Sequence, residues 1–125
     1  MKLKSLLNIR AALAPYHNAA VSASLAYKFF KIKKAAEAEL PYYSERAKEI
    51  VNKYAIKNEK GAAKIKENGE PLVRSEDMEE FSKAVAELNA VEVDAPPVTL
   101  SIPELAEIKL SADTIEVLSE IITEE

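Results

Sequence analysis

From about Val21 to Ala55, apolar residues recur at steps of three and four: Leu25, Phe29, Ile32, Ala36, Leu40, Tyr43, Ala47, Ile50 and Tyr54. That spacing keeps side chains on one helical face and predicts a single long amphipathic helix. Pro41 lies inside it, where a missing backbone donor normally costs about 3 kcal/mol. The stripe keeps its phase across the proline, so the expectation is a kinked but continuous helix. At about 35 residues the rod would run on the order of 50 Å. A compact chain of this size has a radius of gyration of about 14 Å, so part of the rod should project beyond its own core. The residues expected to meet a second copy in a homo-oligomer are Leu25, Phe29, Ile32, Leu40, Tyr43 and Ile50, although ordinary core packing produces the same spacing.

The flanking segments carry shorter patterns. Leu3, Leu6, Leu7 and Leu13 predict a first helix from Leu3 to Leu13, ended by Pro15 and joined through Tyr16-His17-Asn18 to the long helix as a helical hairpin, with Asn18 or Ser22 as cap. Lys57 to Gly61 is a polar loop, and Asn68-Gly69 between 62–67 and 70–74 suits a two-residue β-hairpin turn, with Pro71 restricting the second arm to an edge. Ser75 before two acids starts a third helix that buries Met78, Phe81, Val85 and Leu88 and ends near Asn89. Val91-Glu92-Val93 and Val98 to Ile102 read as two short strands around Pro96-Pro97, possible partners of one another, and Pro103-Glu104-Leu105 as one helical turn. Ser111 caps a last helix with Ile115, Leu118, Ile121 and Ile122 inward, and Glu124-Glu125 fray. No internal repeat is apparent. The sum is a single α+β domain over residues 1–125: mainly helical, a long kinked helix in a helical hairpin plus a small antiparallel sheet.

Composition changes this picture mainly through charge. The net charge of −4 conceals a basic first part and an acidic remainder: residues 1–60 hold twelve Lys/Arg against five Asp/Glu, residues 61–125 five against sixteen. Such asymmetry can mark a nucleic-acid surface. Mutual complementation of the two halves, within or between subunits, is the reading favoured here, since a large acidic half repels a polyanion. With 48% hydrophobic and 30% charged residues and only two glycines, the chain should fold. The absence of cysteine removes disulfides and thiolate chemistry. Arg10 and Asn8 interrupt the N-terminal apolar run, which argues against a signal peptide. No apolar run approaches the roughly 18 to 20 residues of a membrane span. The expected location is cytoplasmic or virion-associated.

Candidate chemistry is sparse. His17 is the single histidine and has no acid or nucleophile near it in sequence. Glu76/Glu80 and Glu116/Glu120 stand one helical turn apart, but no third ligand joins either pair in a motif. No glycine-rich phosphate loop or nucleophile elbow occurs. The expectation is a non-enzyme without cofactor or metal. A second reading, a nucleic-acid-binding module, rests on Lys28, Lys31, Lys33 and Lys34 with Tyr27 and Phe30 interleaved.

Several local patterns share one order: Leu25-Ala26-Tyr27-Lys28, Arg46 through Tyr54-Ala55, the turn at Lys57 to Gly61, Met78-Glu79-Glu80-Phe81, Glu87-Leu88-Asn89 before Val91-Glu92-Val93, and Ile102 through Leu105, Ile108 and Leu110-Ser111. This order resembles a family of small, functionally uncharacterised proteins of bacteriophages and prophages, largely of Gram-positive bacteria. The resemblance spans nearly the whole chain, with Pro41 a departure from the pattern. It implies an accessory or assembly protein acting through protein contacts, with another phage protein as a further partner, and supplies no catalytic residues.

Overall fold

The long stripe folds as one helix in the computed structural model, which describes residues 1–123; the expected fraying of Glu124 and Glu125 lies outside the described residues. This helix, α2, runs unbroken from Ala23 to Tyr54 through Pro41. Its start is fixed by Ser22, whose hydroxyl accepts from the Leu25 amide and donates to Glu107 at 2.8 Å. The first helix, α1 (Leu3–Leu13), buries Leu3, Leu6, Ile9 and Leu13. Arg10 bonds Glu37 at 3.3 Å and Lys4 lies over the Tyr43 ring, so α1 runs antiparallel to α2 as the helical hairpin requires.

Beyond α2, α3 spans Met78–Asn89, β1 Leu100–Ser101, α4 Ile102–Leu105, α5 Ala112–Leu118 and β2 Ile122–Thr123. The fold is therefore mainly helical α+β, but its two-stranded sheet is parallel, Leu100 opposite Ile122 and Ser101 opposite Thr123. Val91–Val93 does not pair with the 98–102 segment. It lies against the chain start instead, with the Leu3 amide donating to Val91 and the Val93 amide to Met1, both at 2.8 Å. The two strands thus tie down opposite ends of the chain. The core joins Ile9 and Leu13 of α1, Leu25, Phe29 and Ile32 of α2, and Leu100, Leu105, Leu118 and Ile121 from the C-terminal segment.

The segment between α2 and α3 holds a feature absent from the sequence reading. Asn68-Gly69 does not form a two-residue turn: only Gly69 takes positive φ, +86°, and the Gly69 amide donates to Lys66 while Lys66 donates to Glu70. That is a three-residue turn closed by a left-handed glycine. Eight residues earlier the same pattern recurs, with Gly61 at φ +80°, its amide donating to Asn58, and Asn58 donating to Ala62. The two turns fold three extended pieces into a closed ring: Ile56 donates to Leu72 at 2.8 Å, Leu72 to Lys64 at 2.9 Å, and Lys64 to Ile56 at 2.8 Å. An eight-residue repeat is therefore present, carried by backbone bonds and turn glycines more than by side chains.

Two apolar assignments also shift. Met78 and Ile115, expected inward, are 39% and 40% exposed, because each sits in the first turns of a helix whose covering elements pack further along. Leu88, Leu118 and Ile121 are buried as expected.

Candidate interaction surface

The proposed interface residues divide sharply. Leu25 and Ile32 are 0% exposed and Phe29 is 3% exposed, sealed by α1 and the C-terminal segment of the same chain. Their apolar surface is consumed within the subunit and leaves nothing for a second copy. Leu40, Tyr43 and Ile50 are half-buried. Tyr43 donates to Asn89 of α3 at 3.1 Å, and Ile50 lines a cleft of about 300 Å³ between α2 and α3 with Tyr42, Ala84, Leu88 and Val91. The rod is not left bare, because the rest of the chain lies along it.

What α2 does leave bare is the opposite face. Tyr27 is two residues from both Leu25 and Phe29, which puts it on the far side of the helix. It is 56% exposed and Phe30 is 49% exposed, their rings stacked with centroids 6.2 Å apart. Lys31 stands 5.3 Å over the Tyr27 ring and Lys34 5.5 Å over Phe30. A ring face attracts a cation electrostatically, so the ladder is self-supporting without any covering element. Of the four lysines singled out, Lys28 is spent differently: it donates to both carboxylate oxygens of Glu104 at 2.6 and 2.9 Å. That bond, with the Ser101 amide, holds the Glu104 carboxyl below the usual carboxylate range. Lys33 is half-buried and reaches Glu37 at 3.9 Å. Lys31, half-buried, and Lys34, exposed, therefore remain as the cations of the face without a carboxylate partner among the described residues.

The C-terminal segment exposes a contrasting surface. Ile102, Leu105, Ala106, Ile108, Leu110 and Ile115 line a groove of about 250 Å³ made of apolar residues alone. Of these, Ile102 is 46% and Ile115 40% exposed. Asp113 and Glu116, on either side of Ile115 in α5, are exposed, and Lys109 is the only basic residue after Lys83, against ten Asp/Glu. Periodicity marks these residues as inward, and only the placement of α5 shows that they are not.

The remaining features offer little chemistry. His17 lines a cleft of about 200 Å³ with Tyr16, Asn18, Phe29, Phe30 and Lys33. Burial, then Lys33 and Arg10, lower its pKa against an opposing pull from Glu37. Among the described residues neither Glu76/Glu80 nor Glu116/Glu120 is joined by a third metal-ligating group. No described helix is long and apolar enough to cross a membrane. No family model, curated protein or solved structure matches this chain.

Proposed function

We propose that this chain is a non-enzymatic accessory or assembly protein of the phage type, acting through protein contacts and self-association along the long helix. The phage part rests on the sequence resemblance. The observation that carries the contact part is the stacked Tyr27–Phe30 pair, two large rings about half exposed on the outer face of a helix whose inner face is already filled. Exposed aromatics gathered in this way mark contact surfaces, because they bury much apolar area at low entropic cost. The interface therefore moves from the inner stripe to the outer face. Light scattering from micromolar to millimolar protein tests the reading: a mass rising above the 13.8 kDa of one chain supports it, and a monomer throughout sinks it.

One observation favours a second reading. Lys31 and Lys34 over exposed rings reproduce the combination of stacking platform and cation that holds single-stranded nucleic acid. On that reading a short oligonucleotide is retarded at low salt and released steeply as salt rises.

A further inference from the structure

Resting on the self-association reading, we infer that the contact is head to tail: the basic aromatic face of α2 in one copy seats on the apolar groove of the acidic C-terminal segment in the next. Three observations point to this occupant.

The first is charge. The basic and acidic halves of the sequence should neutralise one another somewhere. Within the subunit they scarcely do. Among the described residues, Lys28 with Glu104 and the Met1 amino group with Glu92 are the ion pairs joining the two halves, whereas Arg10–Glu37, Lys33–Glu37 and Arg46–Glu49 lie inside the basic one. Most of the opposite charge is left for another molecule, and a second copy carries both signs.

The second is shape and polarity. The Tyr27–Phe30 pair stands about half exposed on the outer face of α2, and the groove lined by Ile102, Ile108, Leu110 and Ile115 is a recess. An apolar knob inserted there brings Lys31 and Lys34 toward a segment whose helix α5 carries the exposed acids Asp113 and Glu116. A polyanion meets this groove unfavourably on both counts.

The third is symmetry. Placing the basic face against itself brings Lys31 and Lys34 of two copies together, and placing the acidic C-terminal segment against itself does the same for carboxylates. Like charges disfavour both isologous arrangements. A knob on one face and a recess elsewhere make a heterologous contact, which closes into a ring or continues as a chain of subunits.

A mixing experiment decides the matter. Phe30→Asp spoils the knob and leaves the groove; Ile115→Asp spoils the groove and leaves the knob. Both side chains are substantially exposed, and far-ultraviolet circular dichroism verifies that each variant is folded. Each variant alone should be monomeric, and an equimolar mixture should form a one-to-one dimer, because one intact knob then meets one intact groove. Should either variant misfold, Lys34→Glu and Glu116→Lys serve separately, each lowering the association constant at least tenfold at low salt. An oligomer that persists in both variants, or a mixture that stays monomeric, overturns the head-to-tail contact while leaving self-association standing. A wild-type protein that is monomeric throughout removes the underlying reading as well. If that monomer gains mass only with an added single-stranded oligonucleotide, the face belongs to nucleic acid instead.

Discussion

The two halves of α2 carry the same apolar spacing and meet different fates. From Leu25 to Ala36 every stripe residue is buried, with Leu25, Ile32 and Ala36 at 0% exposure. From Leu40 to Tyr54 the stripe residues are half-buried. Periodicity identifies which face turns inward, but the depth of burial depends on how many elements cover that face. The first half has α1 on one side and the C-terminal segment on the other, whereas α3 covers most of the second. The difference should be large in stability. Ile32→Ala removes methyl groups from a filled core and should cost about 3 kcal/mol, while Ile50→Ala, at the edge of a cleft, should cost about 1 kcal/mol. Urea unfolding of the two variants measures the gap, and equal losses would mean that the halves are packed alike.

Pro41 stands at the junction of those halves, exposed and inside the helix. It leaves the Glu37 carbonyl without its intrahelical donor. Pro41→Ala restores that donor but gives the unfolded chain more freedom, so the net gain should be about 2 kcal/mol. A rise in the thermal midpoint is the expected result. No change would mean that the helix already accommodates the proline by opening toward solvent.

The two glycine turns allow a finer comparison, since they repeat one geometry. Neither Gly61 nor Gly69 has a heavy atom near enough to obstruct an added Cβ, so substitution tests the backbone alone. Gly61→Ala and Gly69→Ala should each cost about 1 kcal/mol, the penalty of a left-handed non-glycine residue. Equal costs support the ring of Ile56, Lys64 and Leu72 as one cooperative unit. A cost at one turn only would show that the pieces fold separately.

How much of this was legible in the residues follows from what each signal depends on. The bounds of α1, those of α2 to within two residues, Ser22 as one of two candidate caps, the Ser111 cap and continuity through Pro41 are local matters of spacing and hydrogen bonding within a few residues. They read correctly. The parallel pairing of Leu100–Ser101 with Ile122–Thr123 joins segments about twenty residues apart and leaves no local trace, so an antiparallel sheet was the natural but mistaken expectation. The eight-residue repeat is faint in sequence because Asn58-Glu59-Lys60-Gly61 and Lys66-Glu67-Asn68-Gly69 match in place only at Glu and Gly, and the residues around them differ. Among site residues, Lys31, Lys34, Tyr27 and Phe30 were visible as an off-stripe cluster. The apolar groove was not, because Ile115 fits a buried helical face and only the placement of α5 leaves it exposed.

The smallest effect concerns the join between the two charge halves. Lys28 and Glu104 hold the start of α2 to α4, and Glu104 also accepts from the Ser101 amide at 3.1 Å as part of a capping box. Because the folded state lowers the Glu104 pKa, it binds that proton less readily than the unfolded chain, whose carboxyl titrates near about 4.3. The contribution is therefore fully present above that pH and is lost as pH falls through the lowered folded-state value. Replacing Glu104 by Gln should remove under about 1 kcal/mol at neutral pH, the range of partly exposed ion pairs. The difference between wild type and variant should then shrink to nothing in acid. Thermal midpoints of both proteins from pH 7 to pH 3 give the test, and a gap that persists at the acid end would assign the loss to the capping box and not to the ion pair with Lys28.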